Sequence, residues 1–268
     1  MTIQDFLHQA TSQFENVGIT SARLDAQVLL ERALKQNKAW LLAHGDETID
    51  SEKLSLLLEQ TRRRAARQPL AYIIGFQEFY GRRFLVNPDV LIPRPETEEI
   101  IEQLKILPLP DNATLLDVGT GSGAIAITAA LERPHLRVQA CDISTKALET
   151  AEHNAERLGA QHITFFISNL LEQAHQSYDI IVANPPYVAP DWHRSPETNY
   201  EPQLALLAND SGLELIKKLL VQAKTHLKKD GFMLLEADPR QHTAIIQEAQ
   251  SGGFKVVAQE HFVIALQI

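Results

Sequence analysis

Asn184-Pro185-Pro186-Tyr187 follows directly on the apolar run Ile180-Ile181-Val182-Ala183, and its residue types suit recognition of a planar NH2 group. Two consecutive prolines fix φ and present carbonyls with no competing N–H. The Asn184 side-chain oxygen beside the Pro185 carbonyl gives two converging acceptors, the complement of an NH2 with two donors. Tyr187 adds a ring face against which a planar group can lie. Asn184, Pro185 and Tyr187 are therefore the candidate catalytic residues, and Asn184, Pro185, Pro186 and Tyr187 the candidate substrate-binding set. The same residues also spell an ordinary strand and proline-rich turn, so a second constellation has to decide.

Asp117-Val118-Gly119-Thr120-Gly121-Ser122-Gly123-Ala124 supplies it, following an apolar strand and opening a helix of small residues. Glycines at such a turn allow close backbone approach to a ligand, although Gly119, Gly121 and Ala124 also satisfy the dinucleotide pattern G-x-G-x-x-G/A. Charge separates the two cofactors. Asp117 would repel a diphosphate, whereas S-adenosylmethionine brings an ammonium and a sulfonium, and Asp117 can accept the ammonium directly or through water. Asp142 ends the next strand, about 20 residues on, where a carboxylate can accept from both ribose hydroxyls; alone it would read as a solvated strand-end residue. The cofactor candidates are thus Asp117, Gly119, Thr120, Gly121, Ser122, Gly123 and Asp142.

The elements that must position these groups follow from periodicity. Residues 1 to about 68 carry apolar side chains at helical spacing (Ile3, Phe6, Leu7, Ala10, Phe14, then Leu24, Val28, Leu29, Ala33), with a third helix over 51–68. From Tyr72 to Val90, aromatic and β-branched residues broken by Gly75, Gly81 and Asn87-Pro88 predict a hairpin. After Pro110, strands at 114–118, 137–142, 163–167 and 178–183 alternate with helices at 124–131 and 144–158. Helices at 212–227 and 240–251 flank a strand at 232–236, and 254–258 with 262–267 close the chain as a hairpin. This alternation predicts an α/β fold with a mainly parallel, doubly wound sheet. The expected domains are 1–72, a helical bundle; 73–92, a rigid hairpin linker; and 93–268, the α/β domain. Ligands of such sheets bind beyond the strand carboxyl ends, where strand order reverses. In the usual order the glycine loop and Asn184 leave adjacent strands there, which places an NH2-gripping turn opposite a methyl donor.

Composition excludes several other classes. The chain has 268 residues and a net charge of −9, which argues against broad phosphate-driven nucleic-acid binding. Arg62-Arg63-Arg64 with Arg67 reads either as a local basic patch or as a solvated helix face. The one cysteine, Cys141, excludes an internal disulfide and sits in an apolar run as a buried thiol. The ten histidines lack ligand-like spacing, so no metal site is expected. No apolar stretch reaches the roughly 20 residues of a membrane helix, and residues 1–16 lack a signal-peptide core. A cytoplasmic protein is expected, and a monomer, since no repeating apolar face is evident.

At these residues the chain resembles class I S-adenosylmethionine methyltransferases, and more narrowly the protein-(glutamine-N5) methyltransferases of peptide-chain release factors. The narrower resemblance rests on Gln68-Pro69-Leu70-Ala71-Tyr72-Ile73-Ile74-Gly75, Glu78-Phe79-Tyr80-Gly81 and Val90-Leu91-Ile92-Pro93-Arg94-Pro95-Glu96-Thr97-Glu98, together with 117–126 and 184–187. It implies a Rossmann-like sheet of seven strands with helices on both faces and an N-terminal helical domain that recognises substrate. It implies S-adenosylmethionine as cofactor, S-adenosylhomocysteine as product, and the glutamine of the release factors' Gly-Gly-Gln loop as acceptor. Leu170 and Asn184 join the cofactor-binding set by the same resemblance. Ser168-Asn169-Leu170 departs from the acidic and aromatic residues of many relatives, as does Glu236-Ala237-Asp238-Pro239 from their usual pattern. Two other readings remain: an adenine-amino (N6) methyltransferase of DNA or RNA, since adenine also presents a planar NH2, and a noncatalytic cofactor-sensing or ribosome-associated module using the Arg62–Arg67 helix.

Overall fold

A computed structural model describes residues 1–268, which divide into two compact units, Met1–Gly75 with Ser195–Tyr200, and Phe76–Arg194 with Glu201–Ile268. In the first unit the helical spacing seen in the sequence becomes α1 (Ile3–Asn16), α2 (Ala22–Leu34), α3 (Lys38–Ala43), α4 (Ser51–Ala65) and α5 (Leu70–Ile74). Thr2 and Asp5 cap α1 reciprocally, and Asp50 caps α4 by accepting from Lys53 N. Phe6, Phe14, Leu29, Leu30 and Leu57 form its dry centre. Tyr72, Ile73 and Ile74, expected to begin a strand, are helical: Pro69 stands at the N-terminal boundary, and Gly75 at φ 82° closes the turn.

The arginine run is not a solvated face throughout. Arg62 pairs with Glu59 on the surface, but Arg64 is buried, donating to Asp25 Oδ2 at 2.7 Å and to Glu197 Oε1 at 3.0 Å. Arg67 reaches Glu197 Oε2 at 2.7 Å and the Val17 carbonyl at 2.8 Å. Burying the Arg64 guanidinium is tolerable because two carboxylates and the Gln68 carbonyl take up its donors.

The second unit opens with the hairpin β1 (Phe76–Phe79) and β2 (Arg82–Leu85). It is an integral part of this unit: Phe79 and Phe84 are in its core, and Asn154 satisfies both the amide and the carbonyl of Leu85 at 2.7 and 3.0 Å. Then follow α6 (Glu98–Ile106), β3 (Thr114–Val118), α7 (Ala124–Glu132), β4 (Arg137–Asp142), α8 (Thr145–Leu158), β5 (Thr164–Ile167), β6 (Tyr178–Ala183), α9 (Glu214–His226), β7 (Leu227–Glu236), α10 (His242–Ser251), β8 (Lys255–Gln259) and β9 (Val263–Gln267). The seven strands from β3 onward lie in the order β5-β4-β3-β6-β7-β9-β8, with only β9 antiparallel to its neighbours.

Alternation along the strands explains why helices cover both faces. Ile180, Val182 and Leu234 point into a core shared with α6 and α7, while Ile181, Ala183, Met233 and Leu235 point into one shared with α9 and α10. Helix α9 begins at Glu214 rather than 212, because Asp210, Ser211 and Gly212 all have positive φ (54°, 56° and 85°). No helix is long and apolar enough to cross a membrane.

Candidate active site

Strands β3 and β6 are hydrogen-bonded neighbours, with Val118 opposite Ala183. The glycine loop and the Asn184 turn therefore leave the sheet side by side, and the end of β4 brings Asp142 beside them. Gly119, Gly121, Asp142, Leu170, Asn184, Pro185 and Pro186 line one cavity of about 180 Å³.

The loop is tied down before any ligand arrives. Gly119 N and Thr120 N donate to the Cys141 carbonyl at 2.9 and 3.0 Å, and Gly121 N donates to Asp142 Oδ2 at 2.9 Å. Gly119, Gly121 and Gly123 have φ of 74°, 55° and 82°, conformations that glycine adopts without penalty. A Cβ on Gly123 would also stand 2.7 Å from the Ile127 side chain. Asp142 accepts a second amide, Ser144 N, on Oδ1 at 2.9 Å. Burial raises its pKa against those backbone donors. A carboxylate has about four acceptor positions, so both oxygens retain lone pairs for hydroxyl donors in the cavity.

Apolar surface completes the pocket wall. Ile143 and Leu204 are 50% and 61% exposed there, unusual for large aliphatic groups and suited to a flat heterocycle. Leu170 holds a positive φ of 52°, a conformation that costs a non-glycine residue about 1–3 kcal/mol. Its carbonyl is fixed by the Ser168 hydroxyl at 2.7 Å and by Cys141 Sγ at 3.5 Å. The Cys141 thiol is pushed up to about 12, chiefly by burial, so it serves as packing and not as a nucleophile.

Asp117, Thr120, Ser122, Gly123 and Tyr187 do not reach the cavity wall. Asp117 is fully buried beneath the loop, its Oδ2 accepting from Thr120 Oγ1 at 2.6 Å and Ala126 N at 3.1 Å, while Oδ1 has no donor. Burial raises its pKa to about 7. Its observed contacts hold the loop. Ser122 acts through its carbonyl, which accepts from Asn154 Nδ2 at 2.9 Å. The Tyr187 ring packs against the core, and its hydroxyl donates to Glu236 Oε1 at 3.3 Å.

Several residues of the site carried no motif. Asn184 Nδ2 donates to Thr97 Oγ1 at 3.1 Å. Glu236 ends β7 fully buried; burial pushes it up to about 7 against the opposing influence of Thr97, Tyr187 and Asn184. The Tyr187 carbonyl accepts from Gln241 Nε2 at 2.8 Å, and Gly212 packs so closely that a Cβ there would lie 1.9 Å from that carbonyl oxygen. Arg94 pairs with buried Glu201 at 2.6 Å. Thr97 and Arg94 lay inside a stretch already marked by its residue pattern, and Glu236 in one marked as a departure from the usual pattern. Away from the cavity, Glu99, Glu260 and His261 bring donor atoms within 4.8 Å of one another, but Glu99 Oε2 is already taken by Phe262 N at 3.0 Å.

Comparison with known proteins gives concordant matches. Residues 5–75 match the family model described as PrmC N-terminal domain, and residues 99–198 that described as methyltransferase small domain. A release factor glutamine methyltransferase of Neisseria gonorrhoeae is 42% identical over 88% of this chain and 87% of its own. The enzyme of the same name from Coxiella burnetii is 36% identical over 96% and 93%. Among solved structures, a methyltransferase from Pyrococcus furiosus superposes with a TM-score of 0.55 at 20% identity, over 81% of this chain and 98% of that one, a likeness of fold.

Proposed function

The chain belongs to the release factor glutamine methyltransferase family, and from that membership we propose that it methylates the side-chain amide nitrogen of the glutamine in the Gly-Gly-Gln motif of class-1 peptide-chain release factors, in the cytoplasm. The observation that carries this reading is the pairing of Val118 with Ala183, which sets the glycine loop and the Asn184 turn on adjacent strand ends around one cavity.

S-adenosylmethionine is the cofactor in this reading and supplies the methyl group. The residues present fit it: Asp142 has acceptor capacity left for ribose hydroxyls, Ile143 and Leu170 offer apolar faces, and Asp117 Oδ1, buried beneath the loop, has no donor. Gly119 and Gly121 keep the wall free of side chains where the ligand must come close.

An amide nitrogen is a weak nucleophile because its lone pair is delocalised into the carbonyl. Asn184 Oδ1 and the Pro185 carbonyl accept its two N–H groups, which raises electron density on nitrogen and fixes its direction. Such positioning of two reactants can supply several kcal/mol of the barrier. The methylated nitrogen is strongly acidic and gives up its proton without a dedicated base, so none is assigned. Mass spectrometry of a release factor after incubation with the protein and S-adenosylmethionine tests the proposal. A methyl on the motif glutamine is the expected result; labelled methyl transferred to DNA or RNA, in parallel reactions, and not to the factor would overturn it.

A further inference from the structure

Resting on this methyl-transfer reading, we propose that Gln241 is a positioning residue for the Asn184-Pro185-Pro186-Tyr187 turn, tying its far end to the loop that walls the cofactor cavity. The turn needs such a tie. Strand β6 holds it as far as Ala183, which pairs on both sides in the sheet, but Pro185 and Pro186 have no N–H to donate to a neighbouring strand or loop. The direction of the Pro185 carbonyl, one of the two acceptors for the substrate amide, is therefore set by how the chain is fixed immediately after the prolines.

Gln241 supplies that fixing. Its Nε2 donates to the Tyr187 carbonyl and to the Ser211 carbonyl, each at 2.8 Å, and the residue is 4% exposed. A side-chain NH2 has two donors, and both are used. The two carbonyls settle which way the amide points, and they leave Oε1 buried with no donor. A side chain present for packing alone would carry no such unpaired acceptor, which costs stability. On the loop side, Asp210 and Ser211 hold φ of 54° and 56°, a conformation that persists in non-glycine residues only where surrounding contacts enforce it. The loop meets the turn a second time: Val188 N donates to the Leu206 carbonyl and Ala208 N to the Val188 carbonyl, both at 3.0 Å. Just before those points it contributes Leu204 and Ala205 to the cavity wall, which Gln241 itself does not reach. Gln241 thus acts through the backbone, keeping the acceptor turn and the cofactor wall in one fixed relation. Its own place comes from β7, since its N–H donates to the Asp238 carbonyl at 2.8 Å in the helical turn Pro239–Gln241, just beyond the strand end at Glu236.

The test compares the unaltered protein with Gln241→Met, which keeps the length of the side chain without a donor, and Gln241→Glu, which keeps its shape but has at most one donor and cannot bridge both carbonyls. Three readouts are taken: backbone hydrogen exchange at Val188 and Ala208, calorimetric affinity for S-adenosylmethionine, and steady-state methylation of release factor. Exchange at these two amides should quicken about tenfold or more in both variants, with the amides of β6 unchanged. With it, kcat should fall about tenfold, the scale of one oriented hydrogen bond, while KM for the factor and the cofactor affinity change by less than about threefold. Exchange equal to that of the unaltered protein, or an unchanged kcat, would overturn the proposal. So would a loss of cofactor affinity as large as the loss of kcat, since Gln241 would then only support the pocket. If Gln241→Met does not fold by circular dichroism, Gln241→Glu decides alone by the same criteria. A complete lack of transfer by the unaltered protein would defeat the methyl-transfer reading instead; the exchange comparison would then judge the tie, quicker exchange supporting it and equal exchange overturning it.

Discussion

Both units bury carboxylates, and they treat them in opposite ways. In the helical bundle, Asp25 and Glu197 meet the guanidinium groups of Arg64 and Arg67. Burial works to raise Glu197, but the Ser195 hydroxyl and the two arginines outweigh it and hold the carboxyl at about 2. In the sheet unit, Asp117 and Glu236 have no cation against them, each keeps one oxygen without a donor, and burial pushes both up to about 7. Compensated charge marks a structural network. A buried carboxyl with no cation against it instead holds its proton to higher pH, a perturbation that marks a candidate functional site.

Breaking the compensated side should cost the most. Arg64→Ala strands buried Asp25 without a partner and leaves Glu197 to Arg67 and Ser195 alone, and the bundle should lose about 3–5 kcal/mol, read as an earlier transition in chemical denaturation. A loss below about 1 kcal/mol would show that the network is as weak as a surface ion pair. On the uncompensated side, Asn184→Ala should lower kcat by about 10²–10³-fold, the scale for removing one preorganised hydrogen-bonding group, with the thermal unfolding of the sheet unit little changed. Normal turnover by this variant would remove the Asn184 turn from the chemistry. Asp142→Ala should weaken S-adenosylmethionine binding about tenfold or more by calorimetry, since charge-assisted bonds to the ribose are each worth about 1.5–3 kcal/mol. Unchanged affinity would exclude Asp142 from the cofactor site.

The smallest effect sharpens the comparison by sign. Asp117 and Glu236 hold protons in the folded state up to about 7 but in the unfolded state only to about 4. Their contribution to stability is complete at low pH and is lost as pH rises through about 7. Glu197 behaves oppositely: its folded value of about 2 lies below the ordinary 4.5, so its contribution is present above that value and is lost on acidification toward about 2. Melting of the sheet unit should decline by a few degrees between pH 5 and 8 at about constant ionic strength, and Asp117→Asn or Glu236→Gln should each flatten the slope. A parallel slope in the variants would show that the buried carboxyls do not titrate there.

How far these contrasts were legible in the sequence depends on how local their causes are. The strands at 114–118, 137–142 and 178–183 were readable to the residue because apolar runs bounded by turn residues leave little choice. The juxtaposition of glycine loop and Asn184 turn followed from the rule for doubly wound sheets, and the observed order β5-β4-β3-β6 satisfies it. Three things escaped. Helix α5 looked like a strand, since Tyr72-Ile73-Ile74 has strand composition and only the backbone around Pro69 and Gly75 overrides it. The arginine run looked exposed, because its partners Asp25 and Glu197 lie far away in the chain. Glu236 was visible only as a departure from pattern, since the burial that gives it meaning comes from strands on either side of β7.

Gly212 shows what such non-local packing means for variation. It belongs to no motif, and it stands in a loop, where replacements are usually tolerated. Yet any side chain at this position would drive its first carbon into the Tyr187 carbonyl and the Gln241 amide, at 1.9 and 2.4 Å, from a backbone φ of 85°. In a saturation-mutagenesis map the position should therefore fall silent for all nineteen replacements, as intolerant as the asparagine of the turn whose Tyr187 carbonyl it packs against. A genetic search would find this glycine as readily as the catalytic turn, while no search for chemical residue types would.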